Sequence, residues 1–299
     1  MQESKLKNYL HLHFIIFIWG FTAILGALIS IEAIPLVWFR MLIASFFLFL
    51  FIKIKKRSLV IDRKTLLKFI IGGTIIALHW ITFFLAIKSS NVSIALITMS
   101  TGAFFASLIE PFFFKRRISK LELFLGLLVI AGLFIIFKVQ GNYILGITYG
   151  LISSFLSALF SVINGLLVRK NNHVIISFYQ LLFGTLFITI LLFVTGKFSI
   201  GFFRLSFNDW MYLIILGSIC TAYAFSASVK VMKVLSPYTV MLSINLEPIY
   251  GIILALIIFG DKEKMSSEFY YGALIILLSV VLNGIIKNRK QLISRFQKK

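Results

Sequence analysis

The fold is decided by the stretch SINLEPIYGIILALIIFGDKEKMS, residues 243–266. It stays apolar to Phe259 and then breaks at Gly260 into a charged turn. A carboxylic acid, Glu247, and a proline, Pro248, stand inside the apolar run. A charged residue at the centre of a membrane helix costs roughly 2.5–3.5 kcal/mol on insertion scales, so it usually faces a bundle interior or an aqueous cavity. The stretch therefore predicts an interrupted membrane helix with Glu247 as a candidate site residue.

The composition indicates an integral membrane protein. Of the 299 residues, 60% are hydrophobic and 13% are charged, against about 25% charged in a typical soluble domain. The net charge of +20 comes from short basic clusters between apolar runs. This pattern favours lipid headgroups over nucleic acid as the partner of the basic residues. A single cysteine, Cys220, excludes an intramolecular disulfide and a zinc site built from several cysteines. We expect no metal and no other cofactor.

Ten apolar segments are long enough to cross a bilayer, which takes about 20 residues. They lie at about 10–30, 34–53, 68–88, 92–114, 121–138, 144–168, 174–195, 209–229, 237–259 and 268–287.

Orientation follows from the lysine and arginine residues. With the N-terminus in the cytoplasm, 23 of the 30 basic residues lie inside, 6 lie outside, and Arg40 alone lies within a span. The positive-inside rule therefore predicts that both termini are cytoplasmic. The basic tail from Lys287 to Lys299 is expected to bind anionic headgroups.

The two halves of the chain resemble each other. Residues 101–132 and 248–279, offset by 147, both show a long apolar run, a charged turn ending in serine, and a glycine-containing span. This predicts two five-helix repeats, 1–140 and 141–299. Because five is an odd number, the second repeat must cross the membrane in the opposite sense to the first, so the repeats are inverted. The first turn, KRRISK, is basic and the second, GDKEKMSSE, is near neutral, as opposite sides of a membrane require. Inverted repeats are typical of transporters that bind substrate near the midplane.

Several motifs make the chain resemble the EamA family of the drug/metabolite transporter superfamily. They are Trp19-Gly20-Phe21, Pro35-x-x-x-Phe39-Arg40, Ser236-Pro237, Leu246-Glu247-Pro248 and Phe259-Gly260-Asp261-Lys262. The chain departs from many relatives at Thr101, where they have proline, and at Arg116, where they have glutamate. The resemblance implies a carrier or exporter of small metabolites, often amino acids, in the bacterial inner membrane, and not an enzyme.

Glu247 is the first candidate for substrate binding and for proton coupling. Ser243 and Tyr250 lie on its helix face, Asn245 precedes it, and Pro248 frees a backbone carbonyl that suits a break lining a cavity. The alternative is a carboxylic acid that donates one hydrogen bond between helices.

Arg40 and His79 each have two interpretations. Arg40 could bind a substrate carboxylate or phosphate, or it could snorkel to the outer headgroups; its repeat counterpart is Gln180. His79 could relay protons or bind substrate, and the simpler interpretation is a histidine satisfied by a neighbouring carbonyl.

Further polar and aromatic residues complete the candidate set. Glu110 is a candidate gate, or an end-of-helix charge paired with Lys115, Arg116 or Arg117. Polar side chains recur along spans 4 and 6 and either line a cavity or pack helices. The polar residues are Thr98, Thr101, Ser153, Ser157, Ser161 and Asn164. An aromatic box could draw on Trp19, Trp38, Trp80, Tyr179 and Tyr223, although Trp38 fits an interfacial belt.

The sequence therefore predicts an all-α integral membrane protein whose ten transmembrane helices form two inverted five-helix repeats. We expect a secondary transporter of small polar metabolites. The alternatives are a nucleotide-sugar or cationic-drug carrier, and a membrane-embedded receptor or enzyme without transport. A homodimer through the small residues of spans 5 and 10 is a further expectation, and these residues could equally pack within one chain. They are Gly126, Gly132, Gly272 and Ser279.

Overall fold

The computed structural model describes residues 2–115, 120–139 and 141–296, and its regular elements there are all helical. The predicted basic turn with Arg116 and Arg117 lies outside the described residues, as do the side chains of the basic tail from Lys287.

Thirteen α-helices are present in the described ranges. The first half contains α1 Gln2–Leu28, α2 Ala33–Ile54, α3 Arg63–Ser89, α4 Val92–Met99, α5 Gly102–Phe114 and α6 Lys120–Val139. The second half contains α7 Ile144–Leu167, α8 His173–Val194, α9 Phe207–Gly217, α10 Ala224–Val231, α11 Pro237–Ile244, α12 Glu247–Phe259 and α13 Ser267–Phe296. A π-helical turn, Ser218–Tyr223, joins α9 to α10.

These helices form the ten predicted spans. Eight segments are long and apolar enough to cross a membrane, counting α4–α5, α9–α10 and α11–α12 as one segment each. The other two spans are α6 and α13, whose apolar parts are Phe124–Ile136 and Ser267–Ser279. The prediction of an all-α membrane protein is confirmed. Two boundaries differ from expectation, because α1 already begins at Gln2 and α13 continues to Phe296.

The two halves repeat each other in helix length. Helices α2 and α8 both have 22 residues. The half-helices α4 and α11 both have 8 residues, and α5 and α12 both have 13. Both pairs begin 145 residues apart, at 92 and 237 and at 102 and 247, so the register differs by two residues from the predicted offset of 147. The chain is an inverted repeat of five helices in which the fourth helix of each half is interrupted.

Loop contacts define two ends of the bundle. At the basic end, Arg57 donates to Asn172 (2.8 Å) and the Tyr179 hydroxyl donates to the Leu59 carbonyl (2.7 Å). At the opposite end, Lys88 donates to the Ile29 carbonyl (2.9 Å) and Asp209 accepts from the Ser30 backbone N–H (2.7 Å). The basic end thus carries loops 55–62, 168–172 and 232–236, and the opposite end carries loops 29–32, 90–91, 195–206 and 260–266.

Helix starts are marked by side chains that accept from backbone N–H groups. Asp62 accepts from the Thr65 backbone N–H and from its hydroxyl, and these hydrogen bonds lower the pKa of the Asp62 carboxyl. Asn172, Ser206 and Ser236 cap α8, α9 and α11 in the same way. These caps are local, which is why the sequence locates the helix starts well.

Glycine lets the helices pack closely where their backbones meet. A Cβ atom on Gly73 of α3 would collide with the backbone carbonyl of Gln180 in α8. Gly132 of α6 and Gly272 of α13 face each other's backbone carbonyls, and a Cβ on either would lie 2.8 or 2.9 Å from the other's oxygen. Two of the residues considered for a dimer thus pack α6 against α13 within one chain, and the homodimer stays a prediction.

Trp38 packs inside the protein and not on its outer surface. It is buried, its Nε1 donates to the Thr189 hydroxyl (2.8 Å), and it packs edge-on against Phe39 and Phe202. This aromatic cluster ties α2 to the segment that follows α8.

Candidate functional site

A cavity with charged, polar and aromatic lining residues lies in the bundle interior, between the two repeats. Its volume is about 60 Å³, which holds a few waters. Seven of the candidate residues line it, from both halves of the chain. They are Trp19, Arg40, His79, Trp80, Ser157, Ser161 and Glu247.

Arg40 supplies a buried positive charge to this cavity. Its side chain is among the largest fully buried ones, so it does not snorkel to headgroups. The guanidinium carbon lies 4.0 Å from the centroid of the Trp80 ring, as in a cation–π pair. Its Nε donates to the Thr221 hydroxyl (2.6 Å), while Nη1 has no hydrogen-bond partner among the described residues. A buried charged donor without a partner is costly and is a strong anion-binding group.

The π-helical turn Ser218–Tyr223 holds this wall of the cavity. The Thr221 hydroxyl donates five residues back, to the Leu216 carbonyl (2.7 Å), and accepts from Arg40. The Cys220 carbonyl accepts from Nε1 of Trp19 (3.0 Å). In this wider turn the Cys220 carbonyl and the Thr221 hydroxyl accept hydrogen bonds from Trp19 and Arg40, two residues that line the cavity. Such turns are frequent at functional sites.

Glu247 lies at the predicted break. Helix α11 ends at Ile244, two residues turn through Asn245 and Leu246, and α12 begins at Glu247. Pro248 has no N–H, so the break leaves the Ile244 carbonyl without its helical donor. Ile244 and Glu247 both line the cavity. A carboxylate in the first turn of α12 is also favoured by the helix dipole.

His79 is both satisfied and exposed to the cavity. Its Nδ1 lies 2.9 Å from the Ser153 carbonyl and 2.8 Å from the Ser153 hydroxyl. The Ser153 hydroxyl also lies 2.9 Å from the His79 carbonyl. The ring still borders the cavity, together with Ser157 and Ser161 of α7. A neighbouring carbonyl thus satisfies Nδ1, and a role of His79 in proton relay or substrate binding stays a prediction.

The first repeat keeps its break although Ala103 stands where the second repeat has Pro248. Helix α4 ends at Met99 and α5 begins at Gly102. Hydroxyl groups of Ser100 and Thr101 donate to the Ile97 and Thr98 carbonyls, which satisfies acceptors near the interruption. Met99 lines the cavity, and so does Ile244, its counterpart 145 residues later in the second repeat. Only the break of the second repeat carries an acidic residue, because Gly102 of the first repeat occupies the position that corresponds to Glu247.

Each repeat caps a half-helix of the other with a carboxylate. Glu263, after α12, accepts from the N–H groups of Val92 and Ser93 (2.9 and 3.0 Å) at the start of α4. Glu110, in α5, accepts from the Tyr238 N–H (2.9 Å) at the start of α11. Glu110 makes this cap from within α5, whereas Glu263 makes its cap from the turn after α12. The two caps close opposite ends of the bundle and are reciprocal between the repeats.

The remaining candidates lie outside the cavity. Asn164 accepts from the Gln180 amide (2.7 Å) in a buried pair between α7 and α8. The Thr98 and Ser243 hydroxyls bond carbonyls of their own helices, and Thr101 contacts Ser154. Tyr250 packs against the ring of Phe17, Asn245 lies in the turn, and Tyr223 faces a separate groove.

Other cavity residues were not anticipated. Thr22, Phe160, Phe225 and Ser228 border the cavity, and Thr221 positions Arg40. Thr22 follows Trp19 by three residues, a helical spacing that could have indicated it. Thr221 gives no such signal, because its role depends on the π-helical turn. Within the described residues, no three His, Cys, Asp or Glu side chains are grouped to hold a metal ion.

The fold and the cavity define a class: multi-pass helical membrane proteins built from inverted repeats with a polar site between them. The model of the EamA-like transporter family matches residues 8–138 and 144–285, and the chain belongs to this family.

Solved structures agree with this fold. One described as "Crystal structure of protein" superposes with a TM-score of 0.67 at 14% identity, covering 93% of this chain and 96% of that one. At this identity the likeness concerns the fold alone. No curated protein matches the chain.

Proposed function

We propose that the chain is a secondary transporter that moves small polar metabolites, first amino acids or related compounds, across the bacterial inner membrane. Membership of the EamA-like transporter family supports transport. The cavity between inverted repeats supports alternating access, in which one repeat rocks against the other around the site.

The substrate class rests on one observation, the buried Arg40 guanidinium with a free Nη1 in the cavity. A substrate carboxylate or phosphate would supply the missing acceptor, with the strength of a charge-assisted hydrogen bond. The aromatic rings of Trp19, Trp80 and Phe160 would pack against the rest of the molecule.

The cavity described is smaller than a metabolite site. A site for a small metabolite usually has about 300–1,000 Å³, whereas this cavity has about 60 Å³. Substrate binding therefore requires the cavity to widen, and alternating access requires each end of the bundle to open in turn. The caps made by Glu110 and Glu263 lie at opposite ends and are the contacts that opening would break, one at a time.

Glu247 is the proposed coupling group. It lies in the same cavity as Arg40, and no ion pair joins the two side chains among the described residues. Proton binding at Glu247 would remove a negative charge from the site, so protonation and binding of an anionic group would favour each other. This makes Glu247 suited to proton-coupled transport.

A cationic-drug carrier is the alternative that the same residues could serve. Aromatic rings next to Glu247 would suit a cation, whereas Arg40 suits an anionic group. Substitution of Arg40 or of Glu247 distinguishes a carrier of anionic substrates from a carrier of cationic drugs. Arg40→Gln should abolish exchange of an anionic or zwitterionic substrate, and a cationic substrate should instead bind better.

The test is counterflow in proteoliposomes across a panel of labelled amino acids, sugars and nucleotide sugars. Counterflow requires binding and translocation but no imposed ion gradient. We expect Glu247→Gln to keep exchange and to lose accumulation driven by an acidic outer compartment. Glu268→Gln, which changes an exposed glutamate outside the cavity, is the matched control and should keep both.

One result would overturn the transport proposal, and another would overturn only the role of Glu247. If a folded wild-type protein exchanges no member of the panel, a receptor or enzyme role gains support. If Glu247→Gln keeps acid-driven accumulation, transport stands and Glu247 is not the coupling group.

A further inference from the structure

A second cavity opens between helices at the basic end of the bundle. We name it the lateral groove; its volume is about 400 Å³ and it lies among α1, α2, α8 and the segment from Ser218 to Lys230. It is distinct from the central cavity, because no residue borders both.

The groove has an apolar wall. Phe47, Leu48 and Phe51 of α2 line it, and Phe47 and Phe51 are each 40% exposed. In a membrane-spanning helix, such exposed rings face hydrocarbon. Across from them the helices present small residues, Ala222 and Ala227, which leave room between the walls. This part of the groove is apolar, as the binding of an acyl chain requires.

The rest of the groove carries hydrogen-bonding and basic groups. Nε2 of His11 lies 2.9 Å from the Tyr223 hydroxyl, and Nδ1 of His173 lies 3.0 Å from the Ser226 carbonyl. Lys230 is exposed at the same cavity. No Asp or Glu is among the residues that line the groove in the described part of the chain. Imidazole, hydroxyl and ammonium groups together suit a phosphate ester.

We propose that the lateral groove binds an anionic phospholipid, with an acyl chain against Phe47 and Phe51 and the phosphate near His173 and Lys230. Basic recesses between membrane helices are known as sites for anionic headgroups. Charge complementarity selects this occupant, because the apolar wall alone would take any lipid, whereas Lys230 attracts net negative charge, which a zwitterionic lipid offsets with its own ammonium group.

A lipid in this groove would contact the helix that also forms the central cavity. Phe225 and Ser228 of α10 border the central cavity, while Ser226, Ala227 and Lys230 border the groove. The lipid would therefore support α10 from its outer side.

The experiment is native mass spectrometry of the purified full-length protein with phosphatidylglycerol and with phosphatidylcholine of the same acyl chains. We expect phosphatidylglycerol to bind about tenfold more tightly. Lys230→Gln should weaken its binding about fivefold, the effect typical of one basic residue near anionic lipid. Because Lys230 is exposed, the variant is expected to fold, and Lys230→Arg should restore binding.

Lys233→Gln is the matched control. Lys233 follows α10, is exposed like Lys230, and does not line the groove, so its variant should bind as the wild type does. Equal affinity for the two lipids would overturn the proposal, as would equal loss in both lysine variants. Competition by inorganic phosphate at concentrations equal to those of the lipid would assign the groove to a free anion instead.

Discussion

The position of the Arg40 guanidinium depends on one hydroxyl group, that of Thr221. Thr221 accepts from Arg40 Nε and donates to the Leu216 carbonyl, so a single side chain links the buried charge to the π-helical turn. In sequence terms Thr221 is an ordinary polar residue of span 8. Its importance follows from the turn that presents it.

Removing this hydroxyl should destabilise the protein. Thr221→Val keeps the shape and leaves the buried Arg40 Nε without its acceptor, which costs about 1–3 kcal/mol. We expect a lower midpoint of thermal unfolding, measured by tryptophan fluorescence in detergent. Thr221→Ser retains the hydroxyl and should unfold close to the wild-type midpoint. If the valine variant is as stable as the serine variant, the hydrogen bond does not hold Arg40.

At the scale of helices, the caps made by Glu110 and Glu263 lie at opposite ends of the bundle and stabilise their half-helices in the same way. Each neutralises the positive end of a half-helix that begins at that end of the bundle. Each also joins the two repeats, so the loss of one cap should favour opening at that end only.

Labelling of a cysteine in the cavity can test whether each cap variant opens the bundle at its own end. In a Ser157→Cys background, Glu110→Gln should increase labelling of the cavity cysteine by a membrane-impermeant maleimide added at the basic end. Glu263→Gln should increase labelling from the opposite end. Loss of about 1 kcal/mol of capping energy shifts the conformational ratio about fivefold. Cys220 is buried, and protein without the Ser157 substitution measures its background.

The control for this pair is Glu268→Gln, which changes an exposed acid near Glu263. Increased labelling from both ends in either cap variant would indicate general loosening, and would contradict an end-specific gate.

Helix contact provides a second prediction at this scale. Gly73→Ala places a Cβ atom against the Gln180 backbone carbonyl, which cannot move without separating α3 from α8. We expect destabilisation of about 1–3 kcal/mol, seen as a lower thermal midpoint. Gly201→Ala, where the nearest side-chain atom would be 3.6 Å away, should have little effect. Equal midpoints for the two variants would show that α3 and α8 adjust freely.

At the scale of the whole molecule, the bundle has a basic and a less basic end. We predict that the basic end is cytoplasmic, as the positive-inside rule requires. Epitope tags at either terminus should then be protected from antibody in intact spheroplasts, and a tag after Gly196 should be accessible. Lys197 pairs with Glu32 across two loops of the same end (3.7 Å), so a tag after Glu32 should behave like the one after Gly196. A protected tag after Gly196 would reverse the assignment.

The sequence predicts the helices well and the site in part. Hydropathy determines the ten spans, and Glu247 with Pro248 marks the break because polar groups are rare in hydrocarbon. Asn164 and Gln180 look equally suited to a cavity, yet they pair with each other. Which polar residues meet depends on helix rotation and on the π-helical turn, and neither follows from local composition.

The reciprocal caps also bear on how the chain is assembled as it is synthesised. Helix α4 leaves the ribosome 171 residues before the carboxylate of Glu263 that satisfies its first N–H groups, and Glu110 precedes its partner by 128 residues. Contacts of such sequence separation form late and slowly. The first half of the protein must therefore remain in the bilayer with an incomplete helix start until the second half is inserted. Final closure of the bundle is a late step of biogenesis, and it requires both halves.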